Sequence, residues 1–222
     1  MLRNEAEWIG RLLDRMDNNL ISPCVNLGAS TRDLRQVAQP HISNFILVPL
    51  ERRGVEIVHS DLKEGDGIDV SGDIYTDEVQ SALRAFKPKL ILCTNILEHV
   101  RNPSQFAAIC RSIIANSGYI LITVPYSYPY HPDPIDTMYR PTPAEICDLF
   151  PDCELVREAV VEDQTYLEWL RQSGSKAALK AFVRLTIPFV RPRGWLSQLH
   201  RFAWLFKRYK VSIVLLQHKH SA

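Results

Sequence analysis

Residues 90–125 read LILCTNILEHVRNPSQFAAICRSIIANSGYILITVP, and the fold class follows from this stretch. Leu90-Ile91-Leu92-Cys93-Thr94 is almost wholly apolar, the mark of a strand covered on both faces. Pro103–Ala115 has helical periodicity and is closed by Asn116-Ser117-Gly118. Tyr119–Val124 is a second buried strand. Strand, helix and strand in this order make a parallel unit with a right-handed crossover.

The same alternation extends towards the N-terminus. Trp8, Ile9, Leu12, Leu13 and Met16 recur at helical spacing over residues 4–19, with charges between them. Cys24–Leu27 is a short apolar run, and Gly28-Ala29-Ser30-Thr31 turns it into a helix over Arg32–Gln39, capped by Ser30 or Thr31. Phe45–Leu50 and Val55–His59 are further β-like runs, the second ending at Asp61. Gly65-Asp66-Gly67 is a turn, Ile68–Ile74 a short strand, and Thr76–Phe86 a helix stopped at Lys87-Pro88. Beyond Pro125, the Pro- and Tyr-rich Tyr126–Pro143 reads as a long loop, and such loops tend to be functional. A helix from Thr142 to Phe150 follows, then β-like runs at Glu154–Val161 and Tyr209–Gln217. The expected layout is one α/β domain over 1–222: an N-terminal helix (1–20), a core (21–163), a helical basic insertion (164–208) and a last strand (209–218).

With 222 residues, 46% of them hydrophobic, the chain can bury one sizeable core. A formal charge of +1 excludes a chain that is basic or acidic throughout. The five cysteines are odd in number and have no CxxC pair, which suggests neither a disulfide framework nor a zinc site. MLRNEAEWIGRLL is too charged for a signal peptide, and no apolar run reaches the ~18 residues of a membrane span. A cytoplasmic protein is expected, with the inner face of the membrane as an alternative location.

In a parallel α/β sheet, ligands bind beyond the carboxyl ends of the strands. Those ends carry Asn26, Gly28, Ala29 and Ser30, then Asp61, then Asp73 and Ile74, then Asn95 and Leu97 with Glu98 and His99, and finally Pro125-Tyr126. These residue types suit a nucleoside with an amino-acid tail. Gly28 and Ala29 allow close backbone approach. Asp61 can accept both ribose hydroxyls, Asp73 can accept from an adenine amino group over which Ile74 packs, and Asn95 can meet the tail. Singly, Gly28 is a turn glycine, Asp61 a solvated strand end, and Glu98 with His99 a helix cap. Their placement at successive strand ends favours a common site.

The 90–125 stretch resembles the central signature of class I S-adenosylmethionine-dependent methyltransferases: a buried strand, "LEHV.NP", a helix, a turn and a strand ending "VP". Ala115-Asn116-Ser117-Gly118 stands where that family has a proline-glycine-glycine turn. PYHPDPIDTMYRPTPAEICDLF, residues 129–150, is similar to the family's segment after the fifth strand. The resemblance covers roughly residues 20–160. It implies a Rossmann-like seven-stranded, mostly parallel sheet with helices on both faces, S-adenosylmethionine as cofactor, and a cofactor site at Asn26, Gly28, Ala29, Ser30, Asp61, Asp73, Ile74, Asn95 and Leu97. The first loop departs from the family's acid followed by several glycines: it has one glycine and no acid.

On the substrate side, His131 has the ordinary pKa of a general base, and Asp133 or Asp136 could orient it. These three form the candidate catalytic set. Arg140 either clamps an anionic substrate or pairs with Asp136. Prolines at 132 and 134 do not make His131-x-Asp133-x-x-Asp136 a known ligand pattern, so no metal is expected.

Residues 164–208 carry nine Lys and Arg against the single acid Glu168, and Trp195, Leu199, Phe202 and Phe206 share a helical face. Two readings stand: a lid on the sheet, or a membrane-surface helix cradling a lipid-linked substrate. Nucleic acid is not expected as a partner, because no binding motif accompanies the charge. The expected function is methyl transfer to a small-molecule, sugar or lipid-linked acceptor. The alternative is a catalytically inactive S-adenosylmethionine-binding fold serving as a binding or membrane-peripheral module.

Overall fold

The computed structural model describes residues 1–131, 135–172, 183 and 203–219. Its strands are β1 (Cys24–Leu27), β2 (Ile57–Asp61), β3 (Val70–Ser71), β4 (Leu90–Thr94), β5 (Tyr119–Ser127), β6 (Cys153–Thr165) and β7 (Arg208–His218). They form one sheet in the order β3-β2-β1-β4-β5-β7-β6. β1 to β5 pair in parallel, whereas β7 runs antiparallel to both β5 and β6. The mostly parallel seven-stranded sheet expected from the sequence is therefore present.

The α-helices described are α1 (Arg3–Leu13), α2 (Asn18–Ile21), α3 (Pro40–Ile42), α4 (Val48–Arg52), α5 (Asp77–Ala85), α6 (Pro103–Ile113), α7 (Pro143–Asp148) and α8 (Tyr166–Gln172). Strand alternation sends side chains to two cores. Val25, Leu27, Ile91, Cys93, Ile120 and Ile122 pack against Val79 and Leu83 of α5, Phe106 and Cys110 of α6, and Ile146 of α7. Cys24, Leu90, Leu92, Leu121, Ile213 and Leu215 face the other way, against Ala6, Ile9 and Leu13 of α1 and Leu50 of α4. Burial on both faces explains why β4 reads as a continuous apolar run.

Local chemistry sets several boundaries. Thr76 caps α5 by accepting from the Val79 amide, and Asn102 caps α6 by accepting from Gln105. Thr142 and Glu145 form a reciprocal capping box on α7. The helix expected over 4–19 is two helices, and Asp17 caps the second by accepting from Asn19 at 2.9 Å.

Three further expectations are corrected. Phe45–Leu50 is helical, not β: a wider π-helical turn spans Ser43–Leu47 and α4 continues it. Ile46, Leu47 and Leu50 sit at i, i+1 and i+4, a stripe that packs against α1, and Pro49 falls just after the junction of the two turns, where it cannot donate to the preceding turn. The strand expected over Ile68–Ile74 shortens to Val70–Ser71, since Gly72 turns away at φ +134°. β6 runs to Thr165, so the expected insertion starts later than 164. Most of that insertion, including Trp195, Leu199 and Phe202, lies outside the described residues; α8 and residues 203–207 are its described ends.

Candidate active site

A cavity of about 660 Å³ opens at the carboxyl ends of the parallel strands. Asn26, Gly28, Ala29, Ser30, Asp61, Asp73, Ile74, Asn95 and His131 line it, together with Glu98, His99 and Tyr128. Leu97 does not line it: it is fully buried in the core shared with α5 and α6. Asp133 lies outside the described residues.

The loop after β1 is built without a glycine-rich run. Gly28 has φ +60°, and a Cβ there would stand 3.0 Å from the side chain of Ile96. Only glycine meets both conditions without cost. Ser30 is also left-handed, at φ 55°, and its amide donates to Asp61 at 2.8 Å. The buried guanidinium of Arg35 donates to the carbonyls of Ala29, Ser30 and Gly67. One arginine thus fixes the loop from behind, the work that several glycine turns and their backbone contacts would otherwise do. Asn26 hydrogen-bonds Nδ1 of His59 at 3.2 Å. Burial, and then the Arg35 charge, hold His59 down to about 4 and keep it neutral.

Asp61 accepts from the amides of Ser30 and Lys63, at 2.8 and 3.1 Å. A carboxylate has about four acceptor positions, so each oxygen keeps one more for a ligand. Asp73 accepts from the Tyr75 amide at 3.0 Å. Asn95 has φ 53° and donates through Nδ2 to Glu5 at 2.8 Å. Glu5 comes from α1 and is fully buried; the same oxygen accepts from the Thr123 hydroxyl at 2.6 Å, and its other oxygen from the Leu2 amide at 2.9 Å. The first helix is thereby pinned beside the cavity, and Met1 and Leu2 contribute to its wall.

At the far end, the long loop is held by an ion pair. Arg140 grips Asp136 with two bonds, of 3.0 and 2.6 Å. Burial raises the Asp136 carboxyl, but the Arg140 guanidinium and the His131 and Met138 amides outweigh it and bring it to about 2. Asp136 does not reach the cavity. It receives the His131 amide at 3.0 Å and lies 3.2 Å from His131 Nδ1, contacts that hold His131 in place. Of the two alternatives for Arg140, the structure bears out the pairing with Asp136. Burial lowers the His131 pKa. Glu98 is 1% exposed in its side chain, burial raises it to about 8, and neither carboxylate oxygen has a hydrogen-bond partner among the described residues. Glu98 and His99 do not cap the next helix, since Asn102 does so.

No protein-family model and no curated protein sequence matches the chain. Solved structures do. Coclaurine N-methyltransferase bound to N-methylheliamine and SAH superposes with a TM-score of 0.56 at 14% identity, over 96% of this chain and 71% of that one. The StiE O-MT, residues 942–1257, gives 0.54 at 10% identity over 98% and 75%. The chain has the class I methyltransferase fold. The [4+2]-cyclase SpnF gives 0.58 at 11% identity over 97% and 82%. Methyltransferases and a cyclase share this fold, so fold alone does not set the reaction.

Sequence reasoning missed Glu5, Arg35 and His59. Glu5 carried a signal: it stands four residues before Ile9, on the apolar stripe of α1, where an acid needs buried partners. Arg35 and His59 carried none, because the partners of Arg35 are backbone carbonyls, which any sequence offers, and that of His59 is a side-chain amide on a neighbouring strand.

Proposed function

We propose that the chain binds S-adenosylmethionine and transfers its methyl group to a small-molecule acceptor, a sugar or a lipid-linked compound among them. The carrying observation is the convergence of Gly28, Asp61, Asp73 and Asn95 from four successive strand ends on one cavity. That cavity, about 660 Å³, lies within the ~300–1,000 Å³ range of sites for ligands of this size. In this reading Asp61 accepts the ribose hydroxyls through its remaining lone pairs, Asp73 and Ile74 hold the adenine, and Asn26 and Asn95 meet the amino-acid tail. The bound sulfonium supplies an electrophilic methyl carbon.

Transfer breaks the sulfur–carbon bond, forms a bond from carbon to an acceptor oxygen or nitrogen, and leaves a thioether. The chain's own contribution is mainly alignment. The acceptor lies against Glu98, His99, Tyr128 and His131. His131 lines this end of the cavity with Nδ1 held beside Asp136, and in this reading Nε2 takes the acceptor's proton.

Calorimetry of the purified chain with S-adenosylmethionine and S-adenosylhomocysteine tests the reading, and absence of binding at millimolar nucleoside refutes it. For His131→Ala we expect a lower turnover rate with cofactor affinity nearly intact, and loss of the acidic limb of the pH–rate profile. Unchanged turnover assigns the proton step elsewhere.

A further inference from the structure

Glu98, His99 and His131 each present one ligand atom to the acceptor end of the cavity, and these atoms all lie within 4.8 Å of one another. Two features set the cluster apart from three polar groups that happen to meet. The first is that Nδ1 of each imidazole is already engaged. His99 Nδ1 meets the carbonyl of Ile135. His131 Nδ1 lies 3.3 Å from the Pro129 carbonyl and 3.2 Å from Asp136. A proton held on Nδ1 by an oxygen acceptor puts the lone pair on Nε2, the tautomer and outer-sphere contact of metal-binding histidines. His99 Nε2 stands 3.8 Å from Glu98 Oε1. The second feature is Glu98 itself, whose buried oxygens have no hydrogen-bond partner among the described residues. An unpaired buried carboxylate is costly, and a cation at this position removes the cost.

We propose that Glu98, His99 and His131 form a binding site for a divalent first-row transition ion, such as zinc or manganese. Two imidazoles and one carboxylate suit such ions better than magnesium or calcium, which favour all-oxygen sets. Metal–ligand bonds of ~2.0–2.2 Å place ligand atoms roughly 3.0–3.5 Å apart, so closure takes movements of about 1.5 Å at most. The remaining coordination positions face the cavity. Resting on the methyl-transfer reading, this narrows the acceptor to an oxygen compound. A hydroxyl bound to the ion releases its proton to solvent, and the oxygen then takes the methyl group as the sulfonium becomes a thioether. In the loaded protein the ion replaces His131 Nε2 as the group that activates the acceptor.

The test uses the full chain stripped with chelator and titrated with Co²⁺, read by visible absorption and checked by Zn²⁺ competition. One ion per chain is expected, and Glu98→Gln, His99→Gln and His131→Gln each should weaken it by more than about tenfold, the loss that even an outer-sphere partner can produce. No stoichiometric binding overturns the site. So does wild-type affinity in all three variants, which would move the ion elsewhere, for example to His218-Lys219-His220. His99 and His131 are partly exposed, so their variants decide the matter if Glu98→Gln fails to fold. Parallel titration with S-adenosylhomocysteine separates the two readings: nucleoside binding without ion binding sinks the metal site alone, and ion binding without nucleoside binding sinks the methyl-transfer reading alone.

Discussion

Two side chains show how the strand-end loops at one end of the cavity are tuned. Asp61, the ribose acceptor of the proposed function, also fastens the loops after β1 and β2 through two amides. For Asp61→Ala we expect nucleoside affinity to fall by roughly tenfold to a hundredfold, as charge-assisted hydrogen bonds worth about 1.5–3 kcal/mol are lost. Calorimetry reads this, and circular dichroism shows whether the chain stays folded. His59 links stability to pH. Its folded pKa, about 4, lies below the ordinary 6.5. Above pH 6.5 both folded and unfolded states are neutral and stability is full. Between pH 6.5 and 4 only the unfolded state takes up the proton, so stability falls as pH drops through this window and levels off below it. Thermal melts over pH 4–7 should be flatter for His59→Gln, which keeps an acceptor for Asn26.

At the level of elements, the two strands and the helix of the unit over 90–125 were legible, though the turn after β4 was not. Its strands are apolar on both faces and its helix has clear start and stop residues, so local and tertiary preferences agree. Phe45–Leu50 was not legible. Its β-branched and aromatic composition favours a strand, yet its spacing fits the groove beside α1, and packing won. The bounds of β3 were overdrawn for another reason: two residues of pairing leave almost no period to read. Most of the expected site residues reach one cavity because strand ends are fixed by the sheet. Leu97 was grouped with them from position alone, but the turn after β4 points it into the core. Leu97→Ala should therefore cost about 2–5 kcal/mol in urea unfolding, as fully buried leucines do, and leave nucleoside affinity unchanged. A selective loss of affinity with unchanged stability would return Leu97 to the cofactor site.

At the scale of the whole molecule, no helix among the described residues is long and apolar enough to cross a membrane. The described end of the basic insertion still offers an exposed wedge. Phe206 is 84% exposed, beside Lys207, which stacks on Trp204 at 4.3 Å, and Arg208, which pairs with Glu168 at 3.4 Å. We expect weak pelleting with anionic vesicles at low salt and none at high salt or with neutral vesicles, since each basic side chain near such a surface contributes about 1 kcal/mol. Equal, negligible pelleting with both vesicle types removes the membrane role and favours a water-soluble acceptor. The buried Glu5 has a consequence of a different kind, in the order of assembly. Its partners Asn95 and Thr123 lie 90 and 118 residues downstream and are made after it. Asn4 on the same helix waits longer still, for Glu162 and Asp163. Burying that carboxylate without those partners is costly, so α1 is among the last elements of this sheet to dock. Until β5 and β6 exist, its apolar face and the wall it gives the cavity remain open to solvent, and the nascent chain cannot present a finished site before those strands have been made.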